Sequence, residues 1–398
     1  MYSLDRALNH FHFPRLKRKP SGLQALMINY PIYQVAVGMM ASFGVLFVYL
    51  LGEGMVEGLK LVVLFFGLQR VVVALTTPVV AKVISRLGFR WTILLSLVAM
   101  ILKTFVLMQV STVNWWLLSL ALIFGGIAIA AYYTSYHGLF LTDNDDSKIG
   151  QQMGLVTMVG RMGVMIAPLI AGLLIQSFSY HAMFVLAIVL LILSSLPLFL
   201  MPHHDHTNEK FEVKEVFKLL RKKDGFLDSA MWWHFENGLQ SFFWPILLFS
   251  IIGSFAKFGM IGSGVMMVNS LAVFLAGKVY DKRKLRRGYP LFTGAVALSN
   301  VVRYSSTTAG MGIVADGLNR LSSPFWWMKI RRNSLLDGEK HPPMVFATAW
   351  EWSACIGYIG ALVVGYLILV FSNGQWQWLM VPAVVANVVA GVGVRKDE

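Results

Sequence analysis

The sequence predicts an all-α, polytopic membrane protein with 12 transmembrane helices in two pseudo-symmetric six-helix bundles. Three observations carry this prediction. Hydrophobic residues make up 57% of the 398 positions and charged residues only 14%, with a mean hydropathy of +0.64. A soluble chain carries about 25% charged residues, so this one lacks the polar side chains to cover a water-facing surface and lipid must be its main solvent. The apolar residues fall in runs of about 20, the length a bilayer-spanning helix needs, without the alternation of a membrane barrel. A basic turn recurs at half the chain length: Lys278 lies 196 residues after Lys82, and half of 398 is 199. Such tandem halves are a habit of membrane transporters.

The elements follow in order. Residues 1–30 hold Arg6, Arg15, Lys17, Arg18 and Lys19 without a compact apolar core or a small-residue cleavage site, so they are expected to form a cytoplasmic arm, not a signal peptide. The N-terminal half, 31–201, holds spans near 31–51, 58–80, 91–110, 114–138, 150–175 and 181–201. A cytoplasmic linker, 202–226, follows. Its His203-His204-Asp205-His206 cluster reads as solvated linker, without the further ligands a metal site needs. Its stretch from Phe211 to Lys223 reads as an amphipathic helix on the anionic inner membrane surface. The C-terminal half, 227–394, holds spans near 227–252, 257–279, 289–306, 309–330, 343–371 and 375–394, and residues 395–398 form a cytoplasmic tail.

Charge sets the expected orientation. Alternate turns and both termini carry the cations: Arg86 and Arg90, Lys148, Lys210 through Lys223, Lys278 through Arg287, Arg331, Arg332 and Lys340, and Arg395 and Lys396. The opposite turns are nearly bare, with Glu53, Glu57 and Lys60 in the first and Lys257 in the fourth. By the positive-inside rule both termini are cytoplasmic, and a plasma (inner) membrane location is expected. The net charge of +14 could suggest nucleic acid, but short basic clusters between apolar runs point to topology instead. Cys355, the only cysteine, lies in an apolar run and excludes an intrachain disulfide. No Gly-x4-Gly-Lys-Ser/Thr phosphate loop, paired-His metal helix or Gly-x-Ser-x-Gly elbow occurs. Neither an ATP-driven pump nor an enzyme is expected, and no cofactor or metal.

Two motifs add a family. The turn after span two reads Ala81-Lys82-Val83-Ile84-Ser85-Arg86-Leu87-Gly88-Phe89-Arg90, and the turn after span eight reads Gly277-Lys278-Val279-Tyr280-Asp281-Lys282. Span five carries Gly154, Gly163, Ala167-Pro168 and Ala171-Gly172. With the six-plus-six plan, these residues resemble the major facilitator superfamily. Its signature loop is Gly-x-Leu-x-Asp-Arg-x-Gly-Arg-Arg, and its antiporter motif is Gly-x8-Gly-x3-Gly-Pro-x2-Gly-Gly. The resemblance implies a cytoplasmic gate at Ser85, Arg86, Gly88, Arg90, Asp281 and Lys282, with Ser85 standing where the family has its latching Asp and Asp281 keeping it. The span-five residues read equally as a packed interface, since small residues let helices approach and Pro168 permits a bend.

Ionisable groups at bilayer depth cost about 2.5–3.5 kcal/mol on insertion scales and are functional candidates by default. In span seven Trp233, Glu236, Asn237, Gln240 and Trp244 share one helical face, with His234 about 100° away. Span ten carries Asp316, Asn319, Arg320 and Ser323 at i, i+3, i+4 and i+7, so Asp316 and Arg320 can pair along the helix. The family implies that spans one, four, seven and ten line a central cavity. Arg70 and Arg161 lack an acid at similar depth in the first six spans and could meet an anionic substrate, or Glu236 and Asp316 across the cavity, while Lys103 and Arg303 are expected to snorkel outward. Glu351 lies between Trp350 and Trp352, as proton carrier or counter-ion to an arginine. Tyr30, Tyr33 and Gln34 in span one, and Tyr132 through His137 in span four, form either a cavity mouth or an interfacial aromatic belt. Asp143, Asn144, Asp145 and Asp146 read as caps of span five.

The expected function is secondary active transport of a small organic solute by alternating access, coupled to H+, by a monomer in the bilayer. Arg70, Arg161, Trp233, Asn237, Gln240, Asn319 and Arg320 are the expected substrate contacts, and Glu236, Asp316, Glu351 and His234 the expected proton groups. The membrane-depth arginines tilt the substrate toward an anion or zwitterion. A multidrug-type efflux antiporter, and a non-transporting sensor or assembly protein on the same fold, remain alternatives.

Overall fold

The computed structural model describes residues 22–142, 149–200, 211–221, 226–280, 289–338 and 340–393. The acidic turn Asp143 to Asp146, the linker histidines, and Asp281 and Lys282 of the second basic turn lie outside the described residues.

All described elements are helical. They are α1 (Gly22–Leu50), α2 (Met55–Met108), α3 (Trp115–Thr142), α4 (Ile149–Ser177), α5 (Tyr180–Ser195), α6 (Val213–Arg221), α7 (Phe226–Gly238), α8 (Trp244–Ile252), α9 (Phe255–Tyr280), α10 (Tyr289–Tyr304), α11 (Ala309–Gly338), α12 (Pro343–Phe371) and α13 (Met380–Gly393). A π-helical turn, Leu239–Phe243, joins α7 to α8, so the two form span seven. Seven helices are long and apolar enough to cross a bilayer by length and composition alone. One of them, α2, runs for 54 residues and supplies two spans, because Gly88 breaks it with φ 78° and ψ 171°. A side chain is strained at that φ, and this is the glycine of the first basic turn.

The first helix begins at Gly22 and continues through Pro31, and α11 extends to Gly338. Span ten is therefore longer than its apolar run, and Arg331 and Arg332, expected in a loop, lie on a helix. Hydropathy ends where polar residues begin, whereas the backbone continues as long as one face stays buried. Gly253 stops α8 in the left-handed conformation (φ 67°), its N–H donating to the Phe249 carbonyl at 2.8 Å.

The two halves meet along two seams. Span five, α4, lies against α1 on one face and against α9 of the other half on another. Side chains at Gly172 and Gly259 would run into the carbonyl oxygens of Phe255 and Pro168, and each would come within 3.1 Å of the opposite glycine's Cα. The Leu169 N–H donates to Ser263 Oγ at 2.9 Å across this seam. Gly163 presses in the same way on the Pro31 carbonyl of α1. Close helix packing thus accounts for Gly163, Pro168 and Gly172 of the span-five motif. The second seam joins the first part of α2 to α12, where Trp352 Nε1 donates to the Ala74 carbonyl at 2.9 Å.

The linker helix departs from expectation. Its apolar stripe, Val216 and Leu219, is buried against Leu227, Ala230, Val345, Phe346, Ala349 and Trp350 and does not enter lipid. Phe217 meets Trp352 edge-on at 5.0 Å, while Lys214, Lys218 and Arg221 stay exposed. Amphipathicity requires an apolar cover for one face, and here protein supplies it.

Gly172→Val and Gly259→Val are each expected to push the halves apart. Overpacking of about 1–3 kcal/mol should lower the thermal unfolding midpoint in detergent, whereas the same change at the open Gly264 should leave it unmoved.

Candidate functional site

Buried polar side chains gather in two groups on either side of a tryptophan-lined centre. The first joins spans seven, nine and ten. The Glu236 carboxylate, 3% exposed, accepts a hydrogen bond from Gln240 Nε2 and another, at 3.0 Å, from Asn300 Nδ2. Asn300 Oδ1 in turn accepts from Arg303 at 3.1 Å. Arg303 pairs with Asp316 at 2.5 Å, and Arg320 Nε lies 3.7 Å from the same carboxylate oxygen. Asn319 Nδ2 donates to Ser299 Oγ at 2.9 Å.

Sequence and structure differ most at Arg303. Expected to snorkel outward, it is wholly buried, with Asp316, Asn300 and the Trp244 ring (5.1 Å) around it. The i, i+3 spacing of Asn300 and Arg303 was the available signal. Lys103 likewise turns inward and is buried. Gly125 on span four makes the room, since a Cβ there would sit 2.8 Å from Lys103 Cδ and collide with Gln69.

The second group joins spans two, four, seven and eleven. Arg70 lies over the Tyr358 ring at 4.0 Å, and the Tyr358 hydroxyl accepts from Asn237 Nδ2 at 2.7 Å. Glu351 Oε1 stands 3.5 Å from His137 Nε2, an imidazole of the opposite half, with Arg70 of span two in electrostatic reach. His234 packs between Trp350 and Tyr358 with neither ring nitrogen hydrogen-bonded among the described residues.

Between these groups Trp233 stacks on Trp327 at 5.9 Å and meets Trp350 at 6.0 Å. Arg161 of span five approaches the Trp327 ring at 5.8 Å. Arg331, absent from the sequence-based candidates because its run had turned polar, hydrogen-bonds the Tyr136 side chain; Tyr136 stacks on Tyr30 at 5.3 Å. Tyr33 and Tyr132 stack at 3.8 Å, and Tyr132 donates to Asn29 Oδ1 at 2.8 Å. The span-one and span-four tyrosines are thus internal, not an interfacial belt.

The single face expected of span seven is divided by the π-turn, which widens the helix where Gln240 sits. Glu236, Gln240 and Trp244 turn toward spans nine and ten, Asn237 toward span eleven, and Trp233 toward the centre. Among the gate residues, Ser85 bonds back to the Lys82 carbonyl at 2.8 Å, Arg86 is exposed, and Arg90 lies near the Trp91 and Phe199 rings. They sit at one end of the bundle, apart from the buried groups.

Twelve spans in two halves, joined by close helix seams with ionic groups between them, define a polytopic membrane carrier. The chain belongs to the Major Facilitator Superfamily, whose family model matches residues 32–317, and is an integral membrane transporter of that family.

A Cronobacter sakazakii protein named for multidrug resistance, MdtD, is 29% identical over 104 residues, which span 26% of this chain and 22% of that protein's length. The E. coli fucose:proton symporter FucP shares the fold at TM-score 0.66 and 13% identity, over 94% of this chain and 98% of that one. A FucP structure in the outward conformation gives 0.68 at 12% identity, over 96% and 100%. The human organic anion transporter MFSD10 gives 0.67 at 12% identity, over 95% and 100%.

Removing one partner of a buried pair costs about 3–5 kcal/mol, whereas replacing both with apolar groups is often neutral. Arg303→Leu is therefore expected to lower the unfolding midpoint clearly, with a loss near the lower figure because Arg320 remains beside Asp316. The double variant Arg303→Leu/Asp316→Leu should recover much of that loss in the same thermal melt.

Proposed function

We propose that this carrier couples movement of a small organic solute to H+, with Glu236 and Glu351 as the proton-carrying groups. The observation that carries this reading is the contrast among three buried carboxylates. Asp316 is held between two guanidiniums, Arg303 and Arg320. Glu236 is held by two neutral amides, Gln240 and Asn300, and has no cation within 4.0 Å among the described residues. Glu351 has only His137 at that range. A carboxylate held by amides gains less from its charge than one held by guanidinium, so a proton can come and go at Glu236 and Glu351 while Asp316 remains structural.

Alternating access fits this placement. Glu236 lies in the C-terminal half, and the Glu351–His137 pair bridges the two halves, so rocking of the bundles changes the surroundings of the bridging pair. A proton on Glu351 would remove the negative charge that faces His137 across that interface. By the positive-inside pattern the end bearing the termini is cytoplasmic. Multidrug-type efflux is the second reading, favoured by the local likeness to MdtD.

Flux in proteoliposomes under an imposed pH gradient tests the coupling. Glu236→Gln and Glu351→Gln should each reduce gradient-driven flux at least about tenfold, or about 1.4 kcal/mol in the coupled step, while solute exchange without a gradient persists. If both variants keep gradient-driven flux, the proton assignment is wrong. If no solute moves with the unaltered protein, the fold serves a sensor or assembly role instead.

A further inference from the structure

The charges at span depth do not balance. Arg70, Lys103, Arg161, Arg303, Arg320 and Lys329 stand against Glu236, Asp316 and Glu351, more cations than acids among the described residues. The carboxylates are already engaged: Asp316 with Arg303 and Arg320, Glu351 with His137, and Glu236 with its two amides. Arg70, Lys103 and Arg161 have no carboxylate within 4.0 Å among the described residues; Arg70 lies in electrostatic reach of Glu351, whereas Arg161 reaches no acid. Its guanidinium meets no carboxylate and no hydrogen-bond acceptor among the described residues; its contact is the Trp327 ring at 5.8 Å. It also lies within electrostatic reach of two like charges, Arg320 and Arg331. Arg161 is half-buried, and the geometry that best fills its planar fork of five N–H donors is a bidentate carboxylate.

The walls around this fork are flat and apolar. Trp327 and Trp233 lie nearly parallel, with 10° between their planes, and Trp350 stands beside Trp233. Indole surfaces of this kind hold a planar body by stacking and burial. Arg161 belongs to the N-terminal half, and Arg320 and both stacked indoles to the C-terminal half. An anion lodged here relieves the repulsion between Arg161 and Arg320 and draws the two halves together.

We propose that Arg161, with the Trp327–Trp233 stack beside it and Arg320 in reach, docks the carboxylate of a small aromatic organic acid, which is the transported solute. This rests on the transport reading above and adds the substrate class to it. Arg161 supplies the bidentate contact, the indoles select the planar body, and Arg320 shares the charge from the opposite half.

The test is equilibrium binding to the purified full chain in nanodiscs, without a pH gradient, read by tryptophan fluorescence and by thermal shift. The probes are benzoate, its neutral amide benzamide, the cation benzylamine, and acetate, which has the charge without the ring. Benzoate is expected to quench saturably and raise the melting midpoint, with benzamide and benzylamine inert and acetate at least about tenfold weaker. Arg161→Gln should abolish benzoate binding, and Arg161→Lys, which keeps the charge but not the fork, should weaken it partially. Trp327→Leu should weaken benzoate more than acetate.

The proposal is overturned if benzamide binds as well as benzoate, if Arg161→Gln and Arg161→Lys both bind benzoate like the unaltered chain, or if neither acid binds. Failure of the transport reading is distinguishable. Benzoate bound through Arg161 but never moved by a proton gradient would sink proton coupling and leave the docking site standing. Proton-driven flux of a neutral or cationic solute, indifferent to Arg161→Gln, would do the reverse.

Discussion

A charged group at the middle of a bilayer must be paired, hydrogen-bonded or wetted, because lipid offers it nothing. That constraint organises the interior of this protein. It draws Arg303 onto Asp316 and Asn300, sets Glu236 between two amides, and turns Lys103 into the space left by Gly125. Each arrangement needs side chains from more than one helix. The polar groups therefore decide which helices must be neighbours, a selection that apolar surface alone does not make when the solvent is itself apolar.

The backbone seams answer the complementary question of how closely the halves approach. Gly172 and Gly259 bring α4 and α9 into contact at the level of main-chain atoms, and Gly163 does the same between α4 and α1. Span five is thereby clamped on two sides, with its one cation, Arg161, half-buried beside the Trp327 ring. Across the other seam the contacts are aromatic: Trp352 on Ala74 and Arg70 on Tyr358. One seam is made of close-packed backbone and the other of larger side chains with room to reorient.

Much of this was legible in the sequence. The spans were visible because bilayer thickness imposes a length on apolar runs, and the first basic turn was visible because Gly88 needs a backbone conformation that other residues avoid. The polar residues of spans seven and ten could be named individually. Their directions could not, because the π-turn at Leu239–Phe243 displaces the 3.6-residue period on which a shared face depends. Arg331 was lost for a related reason: the helix outlasts its apolar run, so a residue read as loop is held beside Tyr136. Arg303 and Lys103 were misplaced because snorkelling and internal pairing look alike until the partner is known, and Asp316 and Gly125 stand on other helices.

The docked linker helix has a mechanical meaning. Residues 202–226 join the two bundles, and a slack tether would let them tilt independently. Instead α6 is seated on α12 through Val216 and Leu219, and its Phe217 rests on Trp352, the residue that also bonds Ala74 across the seam. The linker helix is therefore fastened to an element that also takes part in the seam between the halves. A short surface helix thus ties the sequence between the bundles to the same residue that bonds the opposite half.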